Sequence, residues 1–191
     1  LEEQNKSIET LYIGGGTPTT LSPEEMETLI KGLFERFDLS NIKEFTVEAG
    51  RPDTINREML EVLKKNNVDR ISINPQSMND ETLQKIGRNH NVQDIIDTFH
   101  LAREVGFDNI NMDLILGLVD EDLEMVRNTL EEIKKLNPES LTVHTLAVKR
   151  ASKLKEDNSL LISIYKLIFI SPYFLLAFVE YHTNNLIKIS L

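Results

Sequence analysis

Residues 11–20 read "LYIGGGTPTT". An apolar, β-branched run passes straight into Gly14, Gly15 and Gly16 and then into Thr17-Pro18-Thr19. Glycine has no Cβ and accepts positive φ, so a glycine run marks backbone that comes close to something. What it approaches depends on what the rest of the chain places beside it.

Outward from this strand the same unit recurs. Short apolar runs lie at 10–13, 44–48, 70–74, 109–116 and 140–146. Between them, helical spacing near 3.6 runs from residue 23 and over 56–66, 80–86, 92–105 and 121–136. Ser22-Pro23-Glu24-Glu25 is an N-cap, a proline at the first helical position and acid in the first turn. Asn79-Asp80 and Asp120 are candidate caps, and Gly106 suits a helix C-cap. Strand and helix alternate with a period of roughly 30 to 35 residues, which predicts a parallel sheet with crossover helices. The run "INMDLIL" is almost wholly apolar, as expected of a strand covered on both faces. Five such units fit either a barrel segment or a doubly wound sheet.

The bulk numbers bound the function. The chain has 191 residues, 40% of them apolar, and a net charge of −10. That charge argues against a nucleic-acid surface, which needs a basic stripe. Cysteine is absent, so this chain carries no disulfide, no thiolate nucleophile and no cysteine-held cluster. The N-terminal residues "LEEQNKSIET" have no signal-peptide pattern, and the expected location is cytoplasmic. The chain reads as a piece of a longer protein.

Ligands of α/β sheets and barrels bind at the C-terminal ends of strands. There this sequence places the glycine run, Glu48, Gln76 with Ser77, Asp113 and His144 on successive strands. The glycine run matches neither a dinucleotide fingerprint nor a P-loop, and Pro18 removes a donor that a phosphate would want. Its carbonyls suit an ammonium group. Glu48 and Asp113 suit ribose hydroxyls or a second cation, and Arg88 can fork onto a carboxylate. Ammonium, carboxylate and ribose together describe an amino-acid–nucleoside conjugate.

The motifs "YIGGGTPTTL", "FTVEAGRPDTI", "ISINPQS", "IGRNH" and "NMDLILGL" occur in that order on successive strands. Together they resemble the radical S-adenosylmethionine (SAM) superfamily, and within it the oxygen-independent coproporphyrinogen III oxidase family, over roughly residues 8–152. The resemblance implies a partial (β/α)6 barrel holding the family's strands two to six. It implies that Gly15, Gly16 and Thr17 contact the methionine end of S-adenosylmethionine. Glu48, Gln76, Arg88, Asp113 and the backbone of Ala147 match further cofactor positions, which can divide between two cofactor molecules. It implies a porphyrinogen as the parent family's substrate. His90 and His144 have no role carried over, and each reads as a hydrogen-bonded barrel or rim residue.

The departures carry equal information. The family's CxxxCxxC loop, which holds a [4Fe–4S] cluster, has no counterpart here, and Val119 stands where the family's "GLPG" segment has proline. The chain is therefore expected to be catalytically inactive as it stands. Two other readings stay open: a haem chaperone with the same core, and a non-catalytic barrel scaffold. The expected division is residues 1–158, a partial barrel, and residues 159–191, an apolar tail. That tail holds six of the chain's twelve aromatic residues and only Lys166, Glu180 and Lys188 as charges. It reads as an aberrant or out-of-frame terminus, as a helix or strand pair covering the open barrel edge, or as a membrane span; Lys166 and Pro172 weaken the last.

Overall fold

A computed structural model describes residues 7–145 and 186–190. Five strands alternate with helices: β1 (Thr10–Ile13), α1 (Pro23–Arg36), β2 (Glu44–Gly50), α2 (Arg57–Lys65), β3 (Arg70–Gln76), α3 (Asp80–Lys85), α4 (Val92–Val105), β4 (Ile110–Leu116), α5 (Leu123–Leu136) and β5 (Ser140–Thr145). A further strand, β6 (Leu186–Ser190), follows. Strand order follows chain order. The pairs β1–β2, β2–β3 and β4–β5 are parallel, and β6 runs antiparallel to β5. The chain divides into two compact units, one running to Asn74 and including Asp94–Ile110, the other comprising Pro75–Gln93 and the residues from Asn111 onward.

In the first unit, Ser22 closes a capping box with Glu25. The Ser22 hydroxyl accepts from the Glu25 N–H at 3.2 Å, and the Glu25 carboxylate accepts from the Ser22 N–H at 2.8 Å. Helix α1 then buries Met26 and Ile30, α2 buries Met59, Leu60 and Leu63, and β2 buries Phe45 and Val47. Each such side chain contributes roughly 1.5–3 kcal/mol by leaving water. Strand β1 alternates exposed and half-buried residues and pairs on one side only among the described strands.

Two strands run further than their sequences suggest. The acid-Ala-Gly of "VEAG" looks like a strand end, but β2 continues to Gly50 through a shift in register between Glu48 and Gly50. Gly50 makes the bulge possible by taking φ 70°. Pro75 looks like a strand breaker, but β3 continues through it to Gln76, because proline's φ fits extended backbone and only one ladder donor is lost.

In the second unit, Asn79 caps α3 as expected. Asp120 does not cap α5: it sits at φ 59°, and Asp122 accepts from the Met125 N–H at 2.9 Å instead. The helix starts two residues later than its periodicity predicts because residues 117–120 form the turn out of β4, with Gly117 also at positive φ. Among the described residues no helix is long and apolar enough to cross a membrane. Of the apolar tail only Leu186–Ser190 falls within the described residues, and it is a strand on β5. The 158/159 division lies outside them.

Candidate functional site

The glycine turn after β1 is built around one carboxylate. Glu48, half-buried on β2, accepts at Oε2 from the Gly15 N–H at 3.1 Å and from the Tyr12 hydroxyl at 3.3 Å. At Oε1 it accepts from Asn74 Nδ2 at 2.8 Å. The Asn74 Oδ1 in turn accepts from the Ser72 hydroxyl at 3.0 Å. Residues from β1, the glycine turn and β3 thus converge on an acid of β2.

Each glycine has a different reason to be there. A Cβ on Gly14 would collide with the Tyr12 ring, which folds over it, and would lie 2.9 Å from Glu48 Oε2. Gly15 and Gly16 take φ 88° and 64°, and nothing lies within 4 Å of where a Cβ would stand. Their backbone therefore faces open space that a ligand can enter. Pro18–Thr20 form a 3-10 turn that latches to the end of β2: the Thr19 hydroxyl donates to the Ala49 carbonyl and is 2.7 Å from the Thr54 hydroxyl. Thr17 rests its methyl against Gly50, where a Cβ would approach it to 3.2 Å.

The second unit holds the other expected residues. Asp113, on β4, is half-buried, and its Oδ1 accepts from Asn111 Nδ2. Asn111 Oδ1 accepts from the Ser140 hydroxyl at 2.9 Å and the Thr142 hydroxyl at 3.0 Å, both on β5. His144 Nε2 lies 3.9 Å from Asp113 Oδ2, beyond hydrogen-bond reach. Gln76 ends β3 at φ 67°, and its buried Oε1 has no hydrogen-bond partner among the described residues. A non-glycine residue in that conformation, with an orphaned acceptor, is a feature found at ligand sites. Arg88 is half-buried in the turn after α3, where its backbone N–H donates to the Leu83 carbonyl at 2.9 Å. Ala147 lies outside the described residues.

Sequence reasoning missed Tyr12, Asn74, Asn111 and Glu121. Glu121 follows the turn out of β4, and Ser77 Oγ donates to its Oε1 at 3.4 Å. Burial pushes its carboxyl above the usual carboxylate range, partly offset by the Leu118 and Gly117 amides and the Ser77 hydroxyl. The asparagines had a signal in their spacing: each lies two residues from a hydroxyl or an acid on the same strand face, Ser72-x-Asn74 and Asn111-x-Asp113.

The donor set does not fit a [4Fe–4S] cluster. The chain has no cysteine, and no group of three or more acids or histidines could hold a metal among the described residues. In the first unit, the open glycine backbone and the Glu48 carboxylate suit a cationic organic group. In the second, the Asp113 carboxylate and the orphaned Gln76 carbonyl are groups that accept hydrogen bonds or attract positive charge.

The class of protein follows from comparison with known families. A match to the radical SAM superfamily extends over residues 1–133, and the chain belongs to that superfamily. The oxygen-independent coproporphyrinogen-III oxidase-like protein HemZ of Bacillus subtilis is 54% identical over 159 residues, covering 83% of this chain and 32% of that protein. The heme chaperone HemW of Lactococcus lactis is 36% identical over 144 residues, covering 75% of this chain and 38% of that one. The solved coproporphyrinogen III oxidase HemN of Escherichia coli superposes with a TM-score of 0.74 at 28% identity, covering 85% of this chain and 40% of that one. The alternating parallel strands and helices are thus those of a partial radical SAM barrel. The chain spans about a third of the length of the first two relatives.

Proposed function

We propose that this chain is the S-adenosylmethionine-binding part of a radical SAM protein of the oxygen-independent coproporphyrinogen oxidase type. The observation that carries the reading is the Glu48 hub beside the open backbone of Gly15 and Gly16. In this reading Gly15, Gly16, Thr17 and Glu48 hold the methionine end of the cofactor. Gln76, Arg88, Asp113 and Ala147 are read, by the same resemblance, as further cofactor-binding positions. The cofactor supplies, in proteins that also hold a cluster, a radical that abstracts hydrogen from a substrate; with no cluster ligand in this chain, no such step is assigned to it. The substrate of the fuller protein is a porphyrinogen, whose propionates would be decarboxylated in haem synthesis, and the location is cytoplasmic. The 54% identity to an oxidase-like protein favours this substrate.

The test is a titration of the chain with S-adenosylmethionine, followed by nuclear magnetic resonance. The wild type is expected to bind, and Glu48→Ala to weaken binding at least about tenfold, the loss of a charge-assisted contact. Reductant, iron and sulfide should yield no 5′-deoxyadenosine from this chain. Equal binding by Glu48→Ala, or turnover, would overturn the reading. The similarity to HemW favours a second reading, a haem-handling protein with the same core. Haem binding without decarboxylation by a longer form carrying the missing segments would favour that one.

A further inference from the structure

Three successive glycines have more backbone freedom to lose on folding than any other residues, so a turn made of Gly14–Gly16 keeps one shape only where its neighbours impose it. Two bonds to successive residues of β2 do so. At one end the Gly15 N–H donates to Glu48 Oε2 at 3.1 Å. At the other the hydroxyl of Thr19, 4% exposed, donates to the carbonyl of Ala49. Gly16, Thr17 and Pro18 span the stretch between these ties. Ala49 is not an ordinary ladder residue. Glu48 stands opposite Ser72 and Gly50 opposite Ile73, so Ala49 is the extra residue of the bulge and has no register partner on β3. The Thr17 methyl meets the same bulge at Gly50, where a Cβ would come to 3.2 Å. Both threonines after the glycines thus grip the one irregular point of the strand that carries Glu48.

The Thr19 oxygen faces two others, the Ala49 carbonyl and the Thr54 hydroxyl at 2.7 Å. The Thr54 hydroxyl also lies 2.9 Å from the Arg51 carbonyl, which already accepts from the Thr54 N–H at 3.0 Å. Each hydroxyl has one proton to give. Only one arrangement puts a proton in both of the closer contacts: Thr54 donates to Thr19, and Thr19 donates to Ala49. We infer that Thr19 is a positioning residue, whose hydroxyl ties the far end of the glycine turn to the β2 bulge and so holds the backbone of Gly15 and Gly16 in the shape a ligand meets. Thr54 supports Thr19 and is not itself the tie. The effect on a ligand rests on the proposed cofactor site; the tie does not.

The experiment separates the two and starts without ligand. Hydrogen exchange of the Gly15 amide is followed in the full chain as wild type, Thr19→Val, Thr19→Ser and Thr54→Val. Thr19→Val keeps the branched shape and loses the hydroxyl, and its Gly15 amide should exchange at least about tenfold faster, the effect of one lost buried hydrogen bond. Thr19→Ser keeps the hydroxyl and should exchange as wild type does. Thr54→Val takes a hydroxyl from the same cluster but spares the tie, so it should resemble Thr19→Ser. A cluster that only stabilises the fold would respond alike to Thr19→Val and Thr54→Val; that result overturns the role, and so does wild-type exchange in Thr19→Val. If Thr19→Val does not fold, the wild type decides: the Thr19 hydroxyl proton, buried and donated, should exchange slowly enough to give its own resonance, and exchange at the solvent rate overturns the tie. S-adenosylmethionine is then titrated into the same proteins. Thr19→Val should bind roughly tenfold more weakly, because binding must then order the turn, and Thr19→Ser should bind as wild type does. Equal affinity in Thr19→Val and wild type overturns the positioning role. No binding by the wild type would sink the cofactor reading, while the exchange result still decides the tie.

Discussion

At the scale of single residues, the site works by exclusion of alternatives. Gly14 is required by a neighbour and Gly15 and Gly16 by their own backbone, although the sequence writes all three alike. Gly14→Ala should therefore cost about 1–3 kcal/mol in urea unfolding, the range for an overpacked contact. The cost should fall by more than half in a Tyr12→Ala background, because the ring that occupies the space is gone. Gly15→Ala should cost about as much through φ alone, and Tyr12→Ala should not relieve it. Glu121 makes a prediction of the opposite kind. Its carboxyl is raised by burial, so the folded state favours the neutral acid. The stability this contributes is present at low pH and is lost as pH rises above the ordinary carboxylate range. Glu121→Gln removes that dependence. Its melting temperature relative to wild type should be more favourable at pH 7.5 than at pH 4.5, and a difference that is flat with pH would refute the assignment.

At the scale of elements, the helix ends decide. Asp122→Ala should cost about 1 kcal/mol in urea unfolding and Asp120→Asn close to nothing, since only Asp122 satisfies an orphan N–H of α5. The sequence pattern put the cap at Asp120 because it follows an apolar run directly, and a pattern does not say how many residues a turn consumes. Most elements were legible for a simple reason. Helices α1, α2 and α4 and strand β4 each bury one consistent set of apolar residues, and periodicity reports such sets. The extra residues of β2 and β3 were not, because a bulge at Gly50 and a proline inside a strand are local exceptions that pairing partners make tolerable. The acids Glu48 and Asp113 stood out as charges in apolar strands. The asparagines that hold them did not, because buried asparagine looks in sequence like any polar residue until its partners across the sheet are known.

At the scale of the whole molecule, β1 is four residues long, half exposed, and paired on one side among the described strands. Unpaired N–H and C=O groups on such an edge are a template for association. Light scattering should show mass rising with protein concentration, and Thr10→Lys, which puts a charge at an exposed position of that edge, should reduce it. A monomer at every concentration would show that the edge is covered. Strand β6 on β5 shows one way in which a parallel sheet receives a late segment of chain: antiparallel, with no crossover helix required.

The Glu48 carboxylate has a valence, and it is nearly full. An ionised carboxylate offers about four lone-pair sites. Tyr12, Gly15 and Asn74 fill three of them. An arriving ammonium group carries three N–H bonds and can place one of them on the vacancy that is left at Oε1. In the proposed cofactor site the other two must find oxygen elsewhere, and main-chain carbonyls are acceptors that can supply it. Saturating the acid thus hands part of the recognition to main chain, which no side-chain substitution can remove.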